Sequence, residues 1–335
     1  MSVMPTKPLL RATPPKPLPS PRSTTSVETE LRVLLDGGGL DLPLPGGGHT
    51  THRWAALAEL GRRDLALARL AEGHVDAVAI LAEAGRTPVA GALYGVWAAR
   101  SGGTGAGFDA SALSGTVRFC SGAHVLDRAL VAALDPGGQG HLLDVDLTDR
   151  RIHRSSDTWQ AIGMDASDSG DITFDQVTPD TVVGTPGWYV SRPGFGHGGI
   201  GVAAVWLGGC AAVLDSVLAE LGERGKRDEH QLAHVGAMYT VLRSAEALLS
   251  RAADEIDADP GLDAMPTAQL CRASVEHAAG AILERAPKVT GPAPLCRDRR
   301  FPQQLADLQV YVRQHHAERD LAALGARVVD QDGAR

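Results

Sequence analysis

The sequence predicts an α+β protein in three parts: a shortened N-terminal helical region, a middle antiparallel β-barrel and a C-terminal four-helix bundle. Three observations predict it. Apolar residues recur at helical spacing from Trp54 to Ala84. Short strand-like runs separated by turn residues fill 88–187. Long helices rich in apolar and small residues follow Gly198. A β module between two helical regions is an uncommon order.

Residues 1–26 are rich in Pro, Ser and Thr, and no acid precedes Glu28. They read as a disordered tail, with a transit peptide or an upstream mis-called start as alternatives. No apolar h-region marks a secretory signal. The helical region, 27–87, opens with a helix from Val27 to Leu35, ended by Gly37-Gly38-Gly39. Leu40 to Pro45 and the triple glycine Gly46–Gly48 form a loop with two sharp bends. Thr50 or Thr51 can cap the next helical stretch, and Gly61 and Gly73 are its expected breaks. In the β region, 88–187, strands are expected at Val89–Ala99, Gly115–Phe119, Arg128–Leu134, Gly140–Leu147 and Asp171–Phe174. Turns fall at Ser101–Gly107 and Asp135–Gly138, and regular short strands of this kind suggest a barrel. The bundle, 188–330, takes helices at Gly198–Leu221, Arg227–Ile256, Pro266–Arg285 and Pro302–Val329. The first is apolar enough to be buried on nearly all sides.

Composition narrows the function. At 335 residues the chain has room for two or three packed units. A net charge of −8 and the lack of a basic stripe argue against nucleic-acid binding. Four scattered cysteines without a CxxC pair fit neither a disulfide framework nor a zinc site, so no metal and a reducing cytoplasm are expected. No uninterrupted apolar stretch reads as long enough to span a bilayer.

Two stretches carry the chemistry: Val117 to Ala123 (VRFCSGA) and Gly163 to Val177 (GMDASDSGDITFDQV). Both read as β structure lined with small and hydroxyl-bearing residues, which suits a flat ligand resting on backbone, a flavin. A flavin needs hydrogen-bond donors at its N5 and O4 edge, and a Ser hydroxyl with backbone N–H groups provides them. Ser121 is the candidate donor. Phe119 and Cys120 flank it, Gly122 would let the ring come close, and Trp97 could cover the ring edge. The competing reading is a tight strand with a buried Ser bonded to backbone. Ser167, Asp168 and Ser169 form a second polar cluster, which is also what a turn held by side-chain bonds would contain.

In order along the chain, four motifs resemble the acyl-CoA dehydrogenase superfamily, including its dibenzothiophene-type flavin monooxygenase branch. Leu40 to Gly48 resembles the family's loop ending in "P…GG", and Leu57 to Asp64 its "LEELGRAD" helix. FCSGA resembles its flavin-side strand, "WITNG" or "F.SG", and GMDASDSGDITFDQV its "GMR…S…v.FD.V" strand pair. The "TEP…GSD" loop is missing, and Tyr94 to Arg100 stands in its place.

The resemblance implies FAD, with FMN as the alternative, and homodimer or homotetramer assembly. It implies Arg224 and Gln231 as pyrophosphate contacts, although the surrounding aromatic and Gly-Lys-Pro elements do not match. It also implies a catalytic glutamate in the last helix. Counted from Asp307 that position falls on His315, and the second location the family uses, in the first bundle helix, has no Glu between Gly198 and Asp215. The hydroxylase branch places a His near the flavin, which makes His315 and His316 the catalytic candidates. The implied activity is a flavin-dependent oxidoreductase, dehydrogenase or hydroxylase, on a non-standard small-molecule substrate. An acyl thioester is one such substrate, and a hydroxylase would draw reduced flavin from a separate reductase. The alternative is an inactive partner or assembly subunit that keeps the fold.

Overall fold

The computed structural model describes residues 8–100, 103–155, 157–225 and 227–333. The first seven residues of the expected tail and Ser101 and Gly102 of an expected turn lie outside that set, as does Lys226 within the expected pyrophosphate motif. The rest of the tail is not disordered. Leu9, Leu10 and Leu18 are buried in the main core, and the Leu10 N–H donates to Glu246 Oε1 at 2.8 Å. Arg22 ties the segment down through Asp64 at 2.6 Å and Asp307 at 2.6 Å. Leucines between the prolines supply the apolar burial that a composition average hides.

Three helices follow: α1 (Thr24–Asp36), α2 (Thr50–Arg63) and α3 (Leu65–Glu83). Ser23 and Ser26 cap α1 reciprocally. The break between α2 and α3 falls at Asp64, whose carboxylate accepts from the Ala66 and Leu67 N–H groups. Neither expected glycine breaks a helix. Gly61 is instead a packing residue, because a Cβ there would lie 2.2 Å from the Val205 carbonyl oxygen.

The eight strands are β1 (Tyr94–Trp97), β2 (Gly105–Asp109), β3 (Ala112–Cys120), β4 (Arg128–Leu134), β5 (Gly140–Asp146), β6 (Ile152–Ser155), β7 (Gly170–Val177) and β8 (Thr181–Val183). They form one sheet in the order β6-β7-β3-β2-β4-β5-β8, with β1 also on β4. The expected antiparallel barrel is not formed. β1 and β2 both run parallel to β4, β1 beside Arg128–Val131 and β2 beside Ala133–Leu134. Among the described residues no ladder joins β6 to β8, so the sheet stays open.

The C-terminal part holds α4 (Trp188–Ser191), α5 (Gly194–Arg224), α6 (Glu229–Ala258), α7 (Met265–Thr290), α8 (Pro292–Arg297), α9 (Arg300–Tyr311) and α10 (Glu318–Gly333). Helix α5 is long and apolar enough by length and composition to cross a bilayer, a property the sequence reading missed, yet 78% of its apolar window is buried inside the protein. It packs on α7, α6 and α9 and most closely on α2, so the N-terminal helices share its core. That crossing needs glycine, since a Cβ on Gly208 would lie 1.9 Å from the Ala58 carbonyl oxygen.

The single last helix expected over Pro302–Val329 is two. A short 3-10 turn, Val312–Gln314, and an extended His315 separate α9 from α10. Arg272 binds the Gln314 carbonyl at 2.8 Å, and the Asp320 carboxylate accepts the His316 N–H at 2.9 Å. Those side chains satisfy backbone groups that a continuous helix would have paired itself.

Candidate functional site

The first cluster forms where β3 ends. The β3–β7 register shifts between Val117 and Cys120, and Phe119 adopts a left-handed φ of 60°. This bulge turns the Phe119 ring outward, 53% exposed, edge-on to Trp159 at 6.5 Å. Cys120 turns inward instead, with Sγ donating to the Val117 carbonyl, and burial pushes its thiol pKa up. Ser121 is buried. Its hydroxyl receives Arg69 Nε at 3.2 Å and meets Ser169 Oγ at 3.1 Å, and Ser169 meets Ser167 Oγ at 2.8 Å. Trp97 lies against the same turn, its Nε1 donating to the Ser121 carbonyl at 3.0 Å.

The polar loop also does structural work. Asp168 accepts the backbone N–H groups of His124 and Val125, while Gly122 and Ala123 donate to the Ser167 and Asp168 carbonyls. The side-chain-bonded turn weighed as an alternative is therefore present. Gly122 is required by Leu126, since a Cβ there would lie 2.5 Å from the Leu126 side chain and φ is 74°.

The second cluster was not foreseen. It lies on α3, a helix otherwise built of Ala, Leu and Val. Arg69 pairs with Glu72 at 2.5 Å, and the Tyr311 hydroxyl of α9 reaches Glu72 Oε2 at 3.4 Å. Tyr311 stands edge-on to Trp206 of α5 at 6.2 Å. Arg272 of α7 lies over the Trp206 ring at 4.6 Å and donates to the Gly199 carbonyl at 3.2 Å. Burial raises the Glu72 carboxyl pKa, opposed by the Arg69 charge, and burial raises the Tyr311 hydroxyl as well. Arg69 joins the two clusters, so contacts run unbroken from the serines to the loop that carries His315. Arg69, Glu72 and Asp76 at spacings of three and four on a buried helix were the available sequence signal.

The two candidate histidines part company at the break after α9. His315 is buried at 2% exposure, its Nδ1 has no partner among the described residues, and burial lowers its pKa. His316 is exposed, with Nδ1 at 3.5 Å from Asp320. Arg224 and Gln231 meet elsewhere, at the end of α7, where Arg224 donates to the Thr290 carbonyl and Gln231 Nε2 to the Val289 carbonyl at 3.0 Å. His197 is buried with Nε2 unpartnered.

Residues 185–312 match the model of the acyl-CoA dehydrogenase C-terminal domain. That stretch of the chain is similar to the acyl-CoA dehydrogenase family. A comparison with curated protein sequences gave no match. Solved structures agree on the fold. The dibenzothiophene monooxygenase of a Paenibacillus species, solved with FMN and indole, superimposes with a TM-score of 0.72 at 17% identity, covering 92% of this chain and 96% of that one. The methanesulfinate monooxygenase of Pseudomonas fluorescens gives 0.74 at 20% identity, covering 94% and 98%. A nitrososynthase of Micromonospora carbonacea gives 0.73 at 17% identity, covering 92% and 88%. Three of the four motifs lie near one another, since LAELGRRD leads directly into α3 and FCSGA and GMDASDS meet through their serines, whereas the Leu40–Gly48 loop is held by Asp257 of α6.

The donor set suits a flavin. At the end of β3 the exposed Phe119 ring stands edge-on to the half-buried Trp159. Beside it lie three buried hydroxyls in one hydrogen-bonded chain that ends on the Met164 carbonyl, and the Arg69 guanidinium, a cation suited to a ring that gains charge on reduction.

Proposed function

We propose that this chain is a flavin-dependent oxidoreductase working as a monooxygenase or an unusual dehydrogenase on a non-standard small substrate. The observation that carries this reading is His315, a buried imidazole with a free Nδ1 at the position the resemblance gives to the catalytic glutamate. Phe119 and Trp159 would flank the ring, with Ser121 and Ser169 as the hydroxyls that could turn to it, Ser167 holding the Met164 carbonyl and Trp97 fixing the Ser121 backbone. Bound there, the flavin would supply two-electron redox chemistry. The cofactor is FAD by the resemblance and FMN by what the dibenzothiophene monooxygenase binds; Arg224 and Gln231, at the place assigned to the pyrophosphate, already donate to carbonyls, which favours FMN.

The chain's own groups divide the remaining work. Arg69 holds positive charge against Ser121 and, through its contact with Glu72, opposes the rise that burial gives the Glu72 pKa. Burial favours the neutral imidazole at His315, whose unpartnered Nδ1 would serve as the proton acceptor. His316 pairs with Asp320 at the surface and anchors the start of α10. The assembly is a homodimer or homotetramer, a separate reductase supplies reduced flavin to a monooxygenase, and the protein works in the cytoplasm.

His315→Ala should lower turnover of the flavin-loaded enzyme by about 100-fold with flavin binding retained, whereas His316→Ala should leave turnover within a few-fold. Equal turnover in His315→Ala and wild type would remove the histidine assignment. A protein that takes up neither FAD nor FMN would instead favour the inactive partner-subunit reading.

A further inference from the structure

A cavity of about 580 Å³ lies between the N-terminal segment, the α2–α3 junction, the middle of α5 and the α8–α9 corner. That volume suits a small organic ligand. Neither Phe119, Ser121, Ser169 nor His315 lines it, so it is separate from the serine cluster. Its apolar wall includes Leu18, Pro19, Leu65, Ala212, Leu295 and Pro302. Its polar wall carries six arginines and four aspartates.

The acceptors around this cavity are engaged, whereas donors are left over. Arg22 binds Asp64 and Asp307, each at 2.6 Å, and Asp165 at 3.0 Å. Backbone N–H groups complete those carboxylates: Ala66 and Leu67 donate to Asp64, Ala166 to Asp165 and Met164 to Asp307. The fourth, Asp298, accepts the Arg300 N–H at 2.9 Å. Arg62 and Arg63 are paired with Asp215 and Glu30. The unfilled groups are guanidinium N–H donors. The Arg22 side chain is 6% exposed, and its Nε is buried with no partner. Arg300 reaches the Leu18 carbonyl with one Nη at 3.3 Å and leaves its own buried Nε without a partner. Arg297 and Arg299, both exposed, have no hydrogen-bond or ion-pair partner among the described residues. A buried donor without an acceptor costs free energy that a ligand oxygen would return.

We propose that this cavity is a second binding site, for a phosphate monoester carrying an apolar body. The phosphate would lie at the α8–α9 corner, where Arg297, Arg299 and Arg300 face a single carboxylate, Asp298. That local excess of positive charge matches the roughly −2 charge of a phosphate monoester near neutral pH. Guanidinium forks bind phosphate oxygens with two parallel N–H bonds, and Arg300 Nε is one such bond waiting for its acceptor. The leucines and prolines would cover the apolar body. An ammonium would meet donors and repulsion at the same corner. A neutral apolar molecule would leave both Nε donors unfilled. The site stands apart from the oxidoreductase reading and does not depend on it.

Titration calorimetry on the purified full chain tests this with 1-naphthyl phosphate, 1-naphthoate, 1-naphthol and inorganic phosphate as probes. Saturable binding of 1-naphthyl phosphate is expected, with 1-naphthoate and inorganic phosphate each at least about tenfold weaker and 1-naphthol unbound. Arg300→Gln should weaken 1-naphthyl phosphate at least about tenfold. If that variant does not fold, Arg297→Ala with Arg299→Ala, at two exposed positions, should produce a loss of the same size. The double variant should still take up FMN as the wild type does. Binding of 1-naphthol as tight as that of its phosphate, or 1-naphthyl phosphate affinity unchanged in both variants, would overturn the proposal. Loss of FMN uptake together with 1-naphthyl phosphate binding in the double variant would overturn it too, because the cavity would then be part of the flavin site. A wild-type chain that binds 1-naphthyl phosphate but no flavin would sink the oxidoreductase reading alone.

Discussion

Helices α3 and α5 are both core helices, yet they use burial differently. Helix α5 carries no acid or Lys/Arg from Gly194 to Leu214 and fills its surroundings with Ile200, Val205, Trp206, Leu207 and small residues. Helix α3 is nearly as enclosed, with Leu67, Leu70, Val75 and Ile80 in the core, but it keeps Arg69, Glu72 and Asp76 on one side. Desolvating charge costs several kcal/mol per ion, so a fold has no stability reason to hold such a strip. The difference separates a helix that builds the scaffold from one that would build the proposed site.

The largest expected effect breaks the α3 strip. Arg69→Ala leaves Glu72 without its cation and should cost about 4 kcal/mol of stability, read by denaturant unfolding. Replacing both partners, Arg69→Met with Glu72→Met, should recover most of that loss while activity stays absent. Full stability in Arg69→Ala would mean the pair contributes nothing and the strip is a solvated face. On α5 the matching perturbation is steric. Gly208→Ala forces a methyl against the Ala58 carbonyl and should cost about 3 kcal/mol, with flavin uptake by the folded protein unchanged.

A smaller effect comes from buried histidines. Burial lowers the His74 pKa from 6.5 to about 4, and its Nδ1 accepts the Tyr94 N–H at 3.2 Å. Between those two values the unfolded chain binds a proton at this site that the folded chain does not. Stability should therefore be full above pH 6.5 and fall steadily as the pH drops towards 4. His74→Gln should flatten that slope, as measured by chemical unfolding across the pH range.

Much of this was legible in the sequence, and the reasons differ by element. Strand β4 was expected at Arg128–Leu134 and forms there, because a continuous apolar run bounded by turn residues has one reading. The FCSGA and GMDASDS stretches were read only as β structure lined with hydroxyls, and their meeting through Ser121 and Ser169 comes from the β3–β7 pairing. Strand β2 was taken for a turn because Gly105-Ala106-Gly107 carries no strand signal; its pairing with β3 and β4 creates it. The break at His315 has no Gly or Pro to announce it and depends on Arg272 and Asp320, distant or later in the chain. Arg69 escaped notice because its partner Ser121 lies 52 residues away, where helical periodicity gives no information. The barrel was over-read from strand spacing alone, which is blind to whether a strand runs parallel or antiparallel to its neighbour.

Flavin uptake tests the central claim most directly. The purified chain, incubated with FMN or FAD and freed of excess, should retain one flavin per chain by visible absorbance after acid release. Phe119→Ala, an exposed position with little effect on folding, should weaken that binding at least about tenfold. A folded, colourless protein that holds neither flavin, or one whose flavin binding ignores Phe119 and Ser121 alike, would contradict the account.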